Sequence, residues 1–356
     1  MRHHWFVIFC ALVGGSAVVA GILLAPRVPL APNVEAIVPA PTPATPSARS
    51  VLFVGDIMLD RNVAVHARSV GDDALFKGAL NLFSGHDLLI GNLEGTLTTN
   101  DSVAQQDNSI LRFTFDPHFA QLLANLGFSA VSLANNHALD FGEFGYEDTL
   151  HNLDLAGIGA FGAPYNDSHL ALELTARDKK ICMVGYHSLF NPDTASVLQK
   201  IQSIRPACDH VVVMAHWGVE YQHEPVAQQR NAAHAFIDAG ADLVIGGHPH
   251  VVEPLEIYNG HAIFYSLGNF LFDQGWEPGV KRGLAVEVSF EDTKTRFTLT
   301  PVNTYEEASV ATGETAQAVL TDVVTPDLSP DISASILENR TFELENKAKN
   351  SPLQVI

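Results

Sequence analysis

The chain has 356 residues, with 20 Lys and Arg against 40 Asp and Glu and a formal net charge of −20. That length suits one large α/β domain or two smaller ones, and 47% hydrophobic residues are ordinary for a globular fold. No basic stripe is available to neutralise phosphates, so nucleic acid is set aside as a partner. Three cysteines are too few for a disulfide scaffold. Cys182 and Cys208 fall in or beside predicted strands and are expected as buried free thiols; a bridge between them is the alternative outside the cytoplasm.

In chain order, residues 5–25 (WFVIFCALVGGSAVVAGILLA) carry no charge. As a helix they would extend roughly 30 Å, enough to cross a bilayer. Arg2, His3 and His4 precede them, which favours a cytoplasmic start and export of the rest. An uncleaved membrane anchor is expected, with a cleaved signal peptide as the alternative. Residues 26–49 are rich in Pro and Ala and read as an extended linker. Residues 50–305 alternate strand-like and helix-like segments. Strands are predicted at 51–55, 87–91, 129–133, 180–185, 210–214 and 242–245. Helical patterns lie near 72–84, 117–126, 144–156, 195–203 and 226–239, with Gly127 and Gly157 as stops. Four consecutive strand patterns follow at 253–258, 261–266, 283–289 and 296–302, the first two joined by an Asn-Gly hairpin turn at 259–260. The prediction is an α/β fold of βαβ units that gains antiparallel strands, as in an α/β/β/α sandwich. Residues 306–356 read as a C-terminal extension in which 336–350 forms one exposed helix.

Five apolar runs end in metal-ligand residue types: VLFVGDIMLD (51–60), LLIGNLEGT (88–96), AVSLANNHALD (130–140), VVVMAHWGVEY (211–221) and DLVIGGHPHV (242–251). In α/β sheets the crevice beyond the carboxyl ends of the strands is where ligands bind. The runs offer Asp56, Glu94, Asn136, His137, His216, His248 and His250, a mixed imidazole and oxygen set suited to Zn, Mn or Fe. Asp56 is read as a ligand or a helix cap, and Glu94 as a bridging carboxylate or a loop cap. His137 beside Asp140 has the make-up of a general acid oriented by a carboxylate. His248 and His250 are two apart, so on an extended segment both rings would point the same way. Nucleophile-elbow serines, phosphate-binding glycine loops and dinucleotide fingerprints are missing from the required contexts.

The ordered motifs GDIML, GNLEGTLT, LRF, LGFSAVSLANNHALDFG, AHWGVEY, GADLVIGGHPHVVEPLEIYNG and IFYSLGNFLFD resemble the bacterial capsule synthesis protein CapA family, also called the poly-γ-glutamate synthesis protein PgsA family. That family is related to the calcineurin-like metallophosphoesterases, and the resemblance spans about 50–290. It implies a four-layer α/β/β/α sandwich holding two divalent metal ions, Mn, Fe or Zn. Carried over by motif, Asp56 and His250 would hold one ion, Asn136, His216 and His248 the other, and Glu94 would bridge. His137 would donate a proton with support from Asp140, and Arg61, Arg112 and Asn269 would contact an anionic substrate. Three departures stand out. Met58 replaces a histidine of the wider superfamily, Gly247 stands where the family often has histidine, and Asp60 replaces a common glycine.

The expected function is therefore that of a membrane-anchored protein of capsule or poly-γ-glutamate synthesis. Its binuclear centre would hydrolyse a phosphoester with metal-activated water, and His137 would act as the acid. The alternative is an accessory subunit that binds or trims an anionic cell-envelope polymer beside membrane synthase subunits, with no phosphoester chemistry. The main domain is expected outside the cytoplasm.

Overall fold

The computed structural model describes residues 49–107, 109–162, 169–189 and 193–346. The apolar segment 5–25 and all of the linker before Arg49 lie outside these. Among the described residues, no helix is long and apolar enough to cross a membrane. The chain opens with β1 (Arg49–Ile57), α1 (Arg61–Val70), α2 (Leu80–Phe83), β2 (Leu88–Leu93), β3 (Thr96–Leu97), β4 (Thr114–Phe115), α3 (His118–Asn125), β5 (Ala130–Ser132), α4 (Gly142–Leu155) and β6 (Gly159–Phe161). It continues through β7 (Ala171–Ala176), β8 (Lys179–His187), α5 (Thr194–Ile204), β9 (His210–His216), α6 (Ala227–Asp238), β10 (Leu243–Gly247), β11 (Val252–Tyr258) and β12 (His261–Leu267). It closes with β13 (Asn269–Leu271), β14 (Arg282–Phe290), β15 (Lys294–Asn303), β16 (Ser309–Val310), α7 (Gly313–Val323), α8 (Pro330–Asn339) and β17 (Thr341–Glu345).

Two sheets carry the fold. One has the order β16-β15-β14-β1-β2-β5-β6, with β13 also on β1 and β17 on β15; the other runs β11-β12-β10-β9-β8-β7. Side-chain alternation explains why they stack. Val51 and Phe53 of β1 and Val212 and Met214 of β9 point into one shared core between the sheets. Leu52 and Val54 point the other way, under α1, α3 and α4. Val211 and Val213 pack under α5 and α6. With a period of two, each central strand is apolar on both faces, which is what a strand covered on both sides requires. The layers are helix, sheet, sheet, helix.

Local chemistry sets the joints. Asp60 caps α1, its carboxylate accepting from Arg61 N. The β11–β12 hairpin turns on Asn259 and Gly260, with φ of 51° and 82°, the left-handed pair that a two-residue turn of this hand needs.

Several expectations are corrected. The helix near 72–84 is a 3-10 turn at Asp72–Phe76 followed by the short α2, and α1 precedes it where the sequence pattern shows no helix. Cys182 and Cys208 are not free thiols but a disulfide, with Cα atoms 6.0 Å apart. Residues 336–350 do not form one helix. α8 stops at Asn339, Arg340 turns left-handed with φ 59°, and β17 joins the edge of β15. Phe342 stacks on Phe297 with ring centroids 4.5 Å apart, and Val319 and Leu320 of α7 enter the core between the sheets. Residues 306–346 are thus part of the same body, not an appendage.

Candidate metal centre

The chain ends of β1, β2 and β5 in one sheet meet those of β8, β9 and β10 in the other. Parallel register places Asp56 beside Asn92, Asn92 beside Ser132, and His216 beside both Gly247 and His187. Asp56, Glu94, His216, His248 and His250 are all buried at this edge. Asp56 is held from two sides: Asn92 Nδ2 donates to Oδ1 at 2.8 Å, and the His248 backbone N–H donates to Oδ2 at 3.0 Å. A Cβ on Gly247 would lie 2.6 Å from Asp56 Oδ1, so a histidine there is sterically barred while the carboxylate keeps this position.

Glu94 is the centre of the constellation. Its Oε1 lies 3.9 Å from His137 Nε2, 3.8 Å from His216 Nε2 and 3.9 Å from His250 Nε2. Neither carboxylate oxygen has a hydrogen-bond partner, and the residue is fully buried. An unpaired carboxylate out of water is costly, so Glu94 needs a proton or a cation. Burial, and then the neighbouring Asp56, push its pKa well above the usual carboxylate range.

The imidazoles are differentiated by their surroundings. Burial, then His248 and His250, hold His216 well below its ordinary pKa. Its Nε2 donates to Asn136 Oδ1 at 2.8 Å, and Asn92 Nδ2 donates to its Nδ1 at 3.2 Å. Burial, then His250, take His248 down to about 3, and its Nδ1 is without a hydrogen-bond partner. Burial also opposes charge on His250, but Glu94 and Asp56 outweigh it and raise that group to about 9. Neutral imidazoles are the form that binds metals.

Ligand atoms fall into two groups, each lying within 4.8 Å of one another: Asp56, Glu94 and His216, and Glu220, His248 and His250. The resemblance pairs Asp56 with His250 and His216 with His248, so the division differs. It also leaves out Glu220. That acid stands four residues after His216 inside AHWGVEY, and its only signal in the sequence is that spacing. Asn92 and Asn135 support the site beyond what their motifs show. Asn135 Nδ2 donates to Asn92 Oδ1 at 3.0 Å, and its own Oδ1 accepts from His137 N at 3.0 Å.

The other candidate residues separate by position. His137 Nδ1 donates to Asp140 Oδ2 at 2.8 Å, and the His137 ring packs on Phe113 with centroids 4.2 Å apart. Arg112 is exposed at the rim, donating from Nε to the Asp140 carbonyl at 2.8 Å. Arg61 is paired with Asp273 and covered by Phe113 and Phe272, so its charge is already matched. Asn269 is fully buried. Its Oδ1 accepts from His250 Nδ1 at 3.0 Å, and its Nδ2 donates to Gln274 and Val280, which fixes the His250 ring. His248 and His250 do not converge through an extended segment. Both are left-handed, with φ of 92° and 59°, and a bend brings their ring centroids to 5.8 Å. Met58 packs in the core under the helices, its Sδ accepting from Asp60 N at 3.0 Å. Asp60 caps α1 and also accepts from Ser102, Gln105 and Thr114, which leaves it no role as a replacement ligand.

Comparison with known proteins agrees with the motifs. Residues 50–274 match the family described as bacterial capsule synthesis protein PGA_cap. The chain belongs to that family. It is 34% identical over 274 residues to the PGA biosynthesis protein CapA of Bacillus subtilis (strain 168), covering 72% of each chain. It is 31% identical over 251 residues to the capsule biosynthesis protein CapA of Bacillus anthracis, covering 64% of this chain and 60% of that one. Among solved structures, a hypothetical protein from Thermus thermophilus superposes with a TM-score of 0.48 at 18% identity, over 71% of this chain and 99% of that one.

Proposed function

We propose that this protein is a metal-dependent hydrolase of capsule or poly-γ-glutamate synthesis, acting on a phosphoester of an anionic cell-envelope polymer or its carrier. The observation that carries the reading is Glu94, a fully buried carboxylate with both oxygens unpaired and three imidazole nitrogens within 4 Å. Two divalent ions of the Mn, Fe or Zn type fit this donor set, with Asp56, Glu94, Asn136, His216, His248 and His250 as ligands. When bound, such ions polarise a phosphoryl oxygen and acidify water at the site.

The chain's own groups do the rest. Asp140 accepts the Nδ1–H of His137, which leaves Nε2 facing the centre as the atom that would take up a proton and pass it to the leaving oxygen. Phe113 covers one face of that ring and keeps water from it. Arg112, held at the rim by the Asp140 carbonyl, meets the anionic group of the substrate. Residues 5–25 serve as the anchor and 26–49 as the spacer, with the domain outside the cytoplasm beside polymer-synthase subunits. The Cys182–Cys208 disulfide supports export, because such bonds persist in oxidising compartments. A second reading, a polymer-binding accessory subunit without phosphoester chemistry, draws on Met58, which packs in the core under the helices where the wider superfamily supplies a ligand.

The test is elemental analysis of the purified chain together with turnover of a chromogenic phosphodiester, beside His137→Ala. About two ions per chain, and turnover lowered in the variant with metal retained, is the expected result. Metal without turnover moves the assignment to the accessory reading, and no metal after reconstitution refutes both.

A further inference from the structure

We propose that His187 is a substrate-contacting residue of this centre, donating an imidazole N–H to a phosphoryl oxygen of the bound ester. The proposal rests on the reading of the protein as a metal-dependent phosphoesterase and names a group that anchors its substrate. β8 (Lys179–His187) is one more apolar run that ends in a chemically active residue, ICMVGYH over 181–187. Parallel register sets His187 directly beside His216. The end of β9 is thus flanked by two carriers of imidazole: β8 with His187, and β10, whose Gly247 pairs with His216 just before His248.

Alternation fixes which way the ring points. Ile181 and Met183 of β8 pack in the core between the sheets, as Val212 and Met214 of β9 do. Val184 and Tyr186 face the helices instead, with Tyr186 against Trp217 and Phe236. A Cβ on Gly185 would lie 3.0 Å from the Ala134 Cβ, so that position looks across at the start of the turn carrying Asn136 and His137. Two residues further on, His187 extends from the same face of the strand. Ser188 N–H donates to the His216 carbonyl at 3.0 Å and holds the strand end in place. His187 is 8% exposed, and its field is felt at the centre. Burial first, then His248, His250, His137 and His187 in turn, disfavour a proton on His216.

What the ring can reach sets its role. His187 is in neither of the groups whose ligand atoms lie within 4.8 Å of one another. Neighbouring strands stand about 4.8 Å apart, which puts the ring one strand spacing beyond His216. That is the place of a group that touches what the centre binds, not of a ligand within it. A phosphoryl group carries its charge on oxygens that call for donors on more than one side. Arg61 is already matched by Asp273, and Arg112 stands at the rim on the Asp140 side. On the β8 side the donor is His187. A neutral imidazole donates from one ring nitrogen, so His187 holds a phosphoryl oxygen without placing a charge beside His216.

The experiment is calorimetric titration of inorganic phosphate into the full-length, Mn²⁺-loaded chain in detergent, with the metal content of each protein measured beforehand. His187→Leu should bind phosphate about 10–100-fold more weakly than the wild type, the loss of one hydrogen bond to a charged group, with metal content unchanged. His187→Gln, whose amide nitrogen reaches as far as the imidazole Nε2, should recover most of the affinity. His187→Asn, one carbon shorter, should not. With a chromogenic phosphodiester, the KM of His187→Leu should rise by the same factor at nearly constant kcat, whereas His137→Ala lowers kcat. A thermal melt in chelator checks that each variant is folded, and if His187→Leu is not, the Gln and Asn pair carries the test. Equal phosphate affinity in wild type and His187→Leu, or His187→Gln no better than His187→Asn, overturns the assignment of His187 alone. Loss of metal from the folded variants overturns it too, since His187 would then be a metal ligand. A metal-loaded wild type that binds no phosphate overturns the phosphoester reading and this proposal with it.

Discussion

Replacing Glu94 by Gln should move two observables in opposite directions. In metal-free protein the wild-type carboxylate is buried with neither oxygen paired. Three imidazole nitrogens stand 3.8–3.9 Å from its Oε1, beyond hydrogen-bond range. Leaving a buried group unpaired costs about 1–3 kcal/mol, more when charged; the amide is unpaired too but removes the charge at nearly constant volume. Glu94→Gln should therefore stabilise the chelator-treated chain by about 1–3 kcal/mol. At about 2 °C per kcal/mol for a domain of this size, the melting midpoint rises by roughly 2–6 °C. With metal the order reverses. An ion present at a hundredfold excess over its dissociation constant stabilises the wild type by about 2.7 kcal/mol, and the variant, lacking the carboxylate, forfeits most of this. The assay is a thermal melt of both proteins in chelator and in Mn²⁺. A variant that is less stable than wild type in chelator, or that keeps the full metal-induced shift, would show that Glu94 is satisfied by protein and that the site is structural.

Three further expectations follow from other parts of the molecule. Asp140→Asn should lower phosphodiester turnover about 10–100-fold with metal content unchanged, since it disturbs the orientation and tautomer of His137 and the bond from Phe113 N–H; an unchanged rate would remove Asp140 from the mechanism. Glu253 is almost fully buried, and burial, partly offset by Gln229, raises it from an ordinary 4.5 to about 8. A carboxyl whose folded pKa is raised gives stability that is complete below 4.5 and lost as pH climbs through 8, so urea midpoints should fall between pH 5 and 8. Glu253→Gln should remove roughly 3–5 kcal/mol of that dependence, and parallel wild-type and variant curves would refute it. The Cys182–Cys208 bond spans 26 residues, so Cys208→Ala, or reduction, should cost about 3–4 kcal/mol in urea unfolding; an unchanged midpoint would mean the loop is already constrained without it.

How much of this is legible in the sequence depends on whether a residue acts through its own strand or through another. Asp56, Glu94, His216 and the HPH pair sit at or just past the ends of apolar runs, and a run's end is visible in one dimension. The crevice between two sheets follows from that pattern, because parallel strands put their carboxyl ends on one edge. What the sequence hides is everything set by contact across the chain. Asn269 is expected at an anionic substrate from its motif, and nothing in the sequence shows that it orients the His250 ring 19 positions away. Arg61 is expected at an anionic substrate from its motif, and its pairing with Asp273, 212 residues away, is invisible in the sequence. The bend at His248–His250 reads as extended chain because spacing alone does not reveal a positive φ. Phe342 looks like part of a polar helix because its partner Phe297 lies in a distant strand of the same sheet.

The same distinction bears on chemistry. Gly247 and Met58 both read as lost ligands, but the structure gives each a physical cause. A side chain at 247 would strike the Asp56 carboxylate, and the Met58 thioether is held in the core under the helices by Asp60 N.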